Sequence, residues 1–66
     1  MKRMTKQRET QEWSKSELAR RAVMNPGAIS QIESGRLIPY PSQLTKIAAA
    51  LGWEGAPEEL LEEVQA

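Results

Sequence analysis

The sequence predicts an all-α domain built from four to five short helices. It contains no long alternation of apolar and polar residues, which would indicate strands, and β-branched residues are few. Residues that start or end helices divide the chain into short segments, and apolar residues recur within them at the spacing of one helix face. Since 66 residues leave room for a single small core, we expect one compact domain over residues 1–66.

The first two helices are predicted from composition and from a capping pattern. Residues 2–11 are polar and charged but rich in helix formers, with Met4 and the stem of Arg8 facing inward. The second helix follows Ser14, because "SKSE" places Glu17 three residues after a good N-cap, as in a capping box. Its apolar face consists of Leu18, Ala19 and Ala22.

The third helix is predicted over about residues 26–34. Asn25 can accept amide hydrogens of the first turn, Pro26 fits the first helical position, and Gly35 can adopt the left-handed conformation that ends a helix. Residues 15–34 therefore form two short helices joined by a tight turn, which is a helix-turn-helix arrangement. The inward side chains of the third helix are Ile29 and Ile32.

Prolines and glycines also delimit the C-terminal half. Pro41 can start a fourth helix, which Gly52 ends, and Pro57 can open a fifth helix over about residues 57–65. The stripe of the fourth helix consists of Leu44, Ile47, Ala48 and Leu51. The fifth helix has a wide apolar face that could form a two-fold dimer or could pack onto the fourth helix; it consists of Leu60, Leu61 and Val64.

The composition argues against several classes of function. The chain has neither cysteine nor histidine, so it lacks a thiolate nucleophile and an imidazole base, and we expect no enzymatic activity. We also expect no cofactor and no small-molecule ligand. The candidate metal ligands are the four glutamates of the fifth helix, which we expect to form an ordinary solvated face and not a metal site: Glu58, Glu59, Glu62 and Glu63. Without an apolar run of membrane-spanning length, the chain is expected in the cytoplasm.

The charge of the chain is polarised although its net value is zero. Residues 1–36 carry eight Lys or Arg against four Glu, giving +4, and residues 37–66 carry one Lys against five Glu, giving −4. Such a distribution can direct a positive face towards phosphates without a high overall pI.

The segment "SKSELARRAVMNPGAISQIESGRLIPYPSQLTKIAAALG" carries many family-specific positions. These are Ser14, Glu17-Leu18-Ala19, Ile29-Ser30, Ile32-Glu33, Gly35, Pro39, Leu44, Ile47-Ala48 and Ala50-Leu51-Gly52, with Arg8 in the first helix. In these positions the chain resembles the xenobiotic-response-element family of bacterial and phage regulators, which includes the lambdoid repressors and Cro proteins. The resemblance covers about residues 4–53. It implies a lambda repressor-like domain whose third helix docks in the DNA major groove, commonly as a homodimer.

The resemblance also implies which residues contact DNA. Phosphate contacts fall on the start of the second helix and on the region after the third helix: Ser14, Lys15, Ser16, Ser34, Arg36 and Tyr40. The other DNA-facing positions are Asn25, Gly27, Ala28, Ser30 and Gln31. Only Gln31 can form a bidentate hydrogen-bonded pair with adenine. We therefore expect the third helix to position the domain well on DNA but to recognise few bases. Arg8 and Glu33 are implied to form a partly buried ion pair.

The chain departs from the family at two positions. Val23 stands in the turn where a glycine is usual, so the turn is expected to differ locally, since a left-handed β-branched residue is strained. Tyr40 stands where the fourth helix often has a Ser or Thr cap, and Ser42 could supply that cap instead.

Three functions fit the sequence. The leading one is a sequence-specific, double-stranded-DNA-binding transcriptional regulator such as a repressor, bacterial or phage in origin and associated with the nucleoid. A close variant is the antitoxin of a toxin–antitoxin pair, which would also bind a toxin. The third is a protein-interaction module without DNA binding, which the neutral net charge and the sparse third helix favour.

Overall fold

The chain folds into a small helical domain, for which a computed structural model describes residues 1–65. Within this range there are four α-helices and one short 3₁₀ helix, which confirms the predicted all-α class. The helices are α1 (Arg3–Thr10), α2 (Lys15–Ala22), α3 (Pro26–Ser34) and α4 (Pro41–Leu51), followed by the 3₁₀ helix (Pro57–Leu61). None of the helices in this range is long and apolar enough to cross a membrane.

The core draws at least one large side chain from every helix. Six large side chains are fully buried: Met4, Leu18, Ile29, Ile32, Ile47 and Leu60. Burial of each such side chain contributes roughly 1.5–3 kcal/mol to folding. Buried Ala19 and Ala22 on α2 are small, which lets α3 pack close to α2. The core therefore fixes α3 from beneath and leaves its other side exposed.

Short polar side chains and glycines delimit the helix-turn-helix as the sequence predicts. The Ser14 hydroxyl accepts the N–H of Glu17 at 3.0 Å, and Asn25 Oδ1 accepts the N–H of Gly27 at 2.7 Å. Gly35 ends α3 with a φ of 83°, in the left-handed region. These local bonds satisfy backbone groups that the ends of a helix leave unpaired.

Two details of the predicted caps are wrong. The Glu17 carboxylate does not return to the backbone of Ser14 but receives hydrogen bonds from Arg20 and Arg21. Ser42 does not cap α4, because it is already the second residue of that helix. Instead, the Gln43 side chain accepts the N–H of Tyr40 at 2.9 Å.

The turn between α2 and α3 keeps left-handed geometry in spite of its valine. Val23 has φ 56° and ψ 53°, so the expected local departure does not occur. Its side chain is 80% exposed and points away from the core, which avoids a clash with packed neighbours. The strain of a left-handed L-residue, roughly 1–2 kcal/mol, remains.

The C-terminal segment is not the fifth α-helix that the sequence predicts over residues 57–65. Only the 3₁₀ helix forms, and the chain then extends along the N terminus. The carbonyl of Glu62 accepts the N–H of Arg3, and the N–H of Val64 donates to the carbonyl of Met1, both at 2.8 Å. These bonds replace the helical ones, and an isolated antiparallel bridge joins Lys2 to Glu63.

The apolar side chains of this segment pack within the domain. Leu60 is fully buried in the core, and Leu61 is half-buried against it. Val64 is half-buried as well. The 3₁₀ helix packs on both α4 and α1. The structure therefore leaves no wide apolar face here for a dimer, and packing within the domain, the alternative that the sequence left open, is what occurs.

Candidate nucleic-acid interface

A buried ion pair locks α1 to α3. Arg8 Nε donates to Glu33 Oε2 at 2.8 Å, and Arg8 Nη2 donates to Glu33 Oε1 at 3.1 Å. Arg8 Nη1 also donates to the carbonyl of Trp13 at 2.8 Å. The two charged side chains are only 10% and 5% exposed. The hydrogen bond to Glu33 raises the pKa of Arg8 above its ordinary value, so the guanidinium stays charged. This two-bond geometry holds α3 in one orientation.

The outer side of α3 carries few side chains that can bind a ligand. Gly27 and Gln31 are exposed, whereas Ala28 and Ser30 are half-buried. The oxygen of Asn25 is committed to its cap, and a Cβ at position 27 would lie 3.0 Å from that oxygen. Within residues 1–65 the Gln31 side chain forms no hydrogen bond, so its amide is available to an external partner.

The start of α2 lies beside the middle of α3. Lys15 Nζ is 3.5 Å from the Ser30 hydroxyl, which brings a cation from α2 to the α3 surface. Ser16 is exposed next to it. Two other predicted contact residues already use their hydroxyls on the backbone: Ser14 accepts the N–H of Glu17, and Ser34 donates to the carbonyl of Gln31.

The loop after α3 presents alternate side chains outward. Arg36 and Tyr40 are exposed, Tyr40 by 74%, and Ile38 between them is 86% exposed. Leu37 packs against the core and Pro39 is buried. The sequence analysis does not identify Ile38 as an exposed side chain of this loop. The alternation of the segment could have identified it, since successive side chains of an extended chain point to opposite sides.

Ion pairs neutralise much of the basic N-terminal half. Lys2 lies 3.6 Å from Glu63 and Arg3 lies 3.1 Å from Glu62, so these cations face acidic residues of the C-terminal segment. Arg20 and Arg21 both bind Glu17, and their hydrogen bonds lower the pKa of that carboxyl. The positive face is therefore narrower than the charge of residues 1–36 suggests.

Four cations form no ion pair within the described part of the chain: Lys6, Lys15, Arg36 and Lys46. Two of them border α3, because Lys15 reaches Ser30 and Arg36 follows the end of the helix. In the same range, no three carboxylates lie close enough to hold a metal ion. The predicted DNA-contact residues thus lie along α3 and at its two borders, on the start of α2 and on the following loop.

The chain matches the model of a known protein family. The model of the helix-turn-helix family matches residues 4–54, which span α1 from its second residue to beyond the end of α4. No curated protein matches the chain, and no solved structure does.

Proposed function

The chain belongs to the helix-turn-helix family of DNA-binding regulatory domains, and from this premise we propose that it is a sequence-specific transcriptional repressor. Within that family we place it with the xenobiotic-response-element regulators, acting on double-stranded DNA in the cytoplasm of a bacterium or a phage-infected cell. The observation that carries the proposal is the exposed side of α3. It presents an unbonded Gln31 between the unpaired cations Lys15 and Arg36, and the buried Arg8–Glu33 pair holds it in place.

In this proposal the segments on either side of α3, the start of α2 and the loop after α3, contact the phosphate backbone. The N–H groups at the start of α2 and the side chains of Lys15 and Ser16 would meet one phosphate group. Arg36 and the hydroxyl of Tyr40 would meet another beyond the C-terminal end of α3. Lys15 and Arg36 form no ion pair within residues 1–65, so their contact with phosphate would not require an existing ion pair to break.

The outer side of α3 would then enter the major groove. Gln31 can pair with an adenine through two hydrogen bonds, and Ala28 can touch a thymine methyl group. Gly27 has no side chain, so the backbone could approach the bases closely. With so few reading groups on one helix, further specificity would come from DNA shape and from a second half-site.

A second half-site calls for two copies of the domain. A homodimer on a two-fold operator would place its α3 helices about 34 Å apart, one turn of DNA. Since Leu60 is buried, the contact between copies would use other residues. Sedimentation with and without duplex DNA tests this part, and a strict monomer in both conditions would remove the dimer from the proposal.

The experiment that tests DNA binding compares Gln31→Ala with Arg36→Ala on a duplex selected from a random pool and on its scrambled form. Arg36→Ala should weaken binding to both duplexes and flatten the salt dependence. Gln31→Ala should reduce the preference for the selected duplex by about 1–3 kcal/mol and leave the salt slope nearly unchanged. Gln11→Ala, another exposed glutamine, is the matched control and should change neither quantity.

Three outcomes would contradict parts of the proposal. If Gln31→Ala keeps the full preference, Gln31 does not read a base, and specificity lies in DNA shape or in another segment. If Arg36→Ala leaves the salt slope unchanged, Arg36 does not contact phosphate. If the unmodified protein binds no duplex at low salt, the domain is a protein-interaction module, or an antitoxin whose toxin contact dominates.

A further inference from the structure

A shallow cleft lies between the C-terminal end of α2 and the outer side of α4. We call it the α2–α4 cleft, and six residues line it: Arg21, Ala22, Val23, Lys46, Ala49 and Ala50. Four of the six are apolar, and the two cations are Arg21 and Lys46. The proposed DNA contacts use none of these residues.

Val23, at the edge of this cleft, combines a left-handed backbone conformation with an exposed apolar side chain. It is the one β-branched residue with a positive φ in the described range, and the other positive-φ residue besides glycines is Glu12. Its side chain is 80% exposed, so packing within the domain does not compensate for the strain. Strained backbone positions cluster at active sites, ligand clamps and switch regions. An exposed, strained valine beside two alanines is therefore a candidate anchor point for an apolar group.

The charge around the cleft is positive and partly fixed in place. Glu17 neutralises one of the two charges of Arg20 and Arg21, which leaves +1, and Lys46 adds another, giving +2. Arg21 Nε donates to Glu17 at 2.6 Å, and the guanidinium lies 4.3 Å from the centroid of the Trp13 ring. Arg21 is thus held in place by Glu17 and Trp13, and it lines the cleft together with Lys46, which forms no ion pair within residues 1–65.

We propose that the α2–α4 cleft binds an acidic, apolar segment of a partner protein. One apolar side chain of the partner packs on Val23 and Ala49, and carboxylates beside it meet Arg21 and Lys46. The charge complementarity selects acidic partners, and the apolar floor distinguishes them from simple anions. This contact is separate from DNA binding and does not depend on it.

The shape of the cleft and the rest of the chain argue against two other occupants. Sites for small molecules enclose most of the ligand, whereas this cleft is open and shallow. A second copy of this chain would have to offer its own acidic, apolar segment. That segment is held by its own N terminus, through Glu62 to Arg3 and Glu63 to Lys2, and its Leu60 is buried.

The test is a selection of random heptapeptides displayed on phage against the immobilised full chain, followed by affinity measurements on the synthetic peptides. We expect enrichment of peptides that combine an apolar residue with Asp or Glu. Val23→Gly and Lys46→Glu should each weaken their affinity at least fivefold. Because Val23→Gly also relieves the left-handed strain, its melting temperature should stay the same or rise, so weaker binding cannot be attributed to unfolding.

Matched controls lie elsewhere on the surface. Ile38→Ser removes an equally exposed apolar side chain, and Lys6→Glu reverses an unpaired cation on α1; neither should change peptide affinity. The proposal is overturned if no acidic, apolar peptides are enriched, or if the enriched peptides bind Val23→Gly as tightly as the parent. It is also overturned if Val23→Gly weakens self-association, which would assign the cleft to a second copy. Weaker duplex binding by Val23→Gly would assign it to DNA.

Discussion

Two regions of this domain pair the same types of charged residue in opposite environments. The Arg8–Glu33 pair joins α1 to α3, with side chains that are 10% and 5% exposed and a closest approach of 2.8 Å. The terminal pairs, Lys2–Glu63 and Arg3–Glu62, span 3.6 and 3.1 Å; their glutamates are 72% and 58% exposed, and their cations are 18% and 33% exposed. The two regions have similar chemistry but different access to water.

The difference predicts that burial, and not the number of ion pairs, decides which charge substitutions destabilise the fold. Water and salt screen exposed pairs, which typically contribute about 0–1 kcal/mol each. A buried pair often contributes no more than a well-packed apolar pair would, but loss of one partner leaves a desolvated charge. Arg8 and Glu33 should therefore behave as one unit, whereas the terminal pairs should be individually dispensable.

The largest expected effect comes from breaking the buried pair. Glu33→Ala leaves the Arg8 guanidinium without its carboxylate, which should destabilise the domain by about 3 kcal/mol or more. For a domain of this size, that loss corresponds to a fall in melting temperature of more than about 10 °C. Thermal unfolding followed by circular dichroism measures the change directly.

The matched control for this substitution is Glu59→Ala in the 3₁₀ helix. Glu59 forms no ion pair within residues 1–65, so its removal should change the melting temperature by no more than about 2–4 °C. Equal small effects of the two substitutions would show that the Arg8–Glu33 pair is not a structural unit.

The second-largest effect should come from removing the buried side chain that anchors the 3₁₀ helix to the core. Leu60 is fully buried, so Leu60→Ala removes packed methyl groups and should destabilise the domain by about 2–3 kcal/mol. This is the lower part of the usual range, because the 3₁₀ helix at the edge of the domain can partly collapse into the space. Chemical denaturation measures the loss, and Leu61→Ala, at a half-buried neighbour, should lose less. If the two variants lose equal stability, Leu60 does not anchor the segment.

Sequence reasoning succeeded in the helix-turn-helix because its signals there are local. Ser14, Asn25 and Gly35 act within one turn of their own position, so their residue types are enough to place the ends of α2 and α3. The C-terminal segment was predicted wrongly because its structure depends on distant residues. Its backbone bonds go to Met1 and Arg3, about sixty positions earlier, and helical periodicity cannot show such partners.

The same distinction applies to the candidate interface. The Arg8–Glu33 pair was predicted through the family resemblance and is present in the structure. The charge of residues 1–36 predicted too broad a positive face, because the counter-charges of Lys2 and Arg3 come from Glu63 and Glu62 at the other end of the chain. Alternation in the sequence can place Ile38 on the same side of the loop as Arg36 and Tyr40, but the fold is needed to show that this side faces outward. The DNA contacts themselves remain predictions.

A smaller effect should follow from removing the exposed terminal pairs together. The double variant Glu62→Gln and Glu63→Gln keeps the shape of both side chains and the backbone bonds to the N terminus. It should lose no more than about 2 kcal/mol at low salt, and the difference from the parent should shrink as salt screens the parent's own pairs. Thermal unfolding at low and high ionic strength measures both quantities. A loss comparable to that of Glu33→Ala would contradict the comparison, because the exposed pairs would then matter as much as the buried one.

The smallest effect concerns Glu17, a half-buried carboxylate that accepts hydrogen bonds from the exposed side chains of Arg20 and Arg21. These bonds lower its pKa below the ordinary value of 4.5. Because the folded-state pKa is the lower one, the stabilisation is present above the unfolded pKa and is lost as the pH falls through the folded value. The stability difference between the parent and Glu17→Gln should therefore narrow on acidification below pH 4.5, and it should be small at every pH because the two arginines are exposed to water. Carbon NMR of the Glu17 carboxylate should give a midpoint below 4.5 that rises in the double variant Arg20→Gln and Arg21→Gln. A midpoint that does not move in that variant would show that the two arginines do not hold this carboxylate in solution.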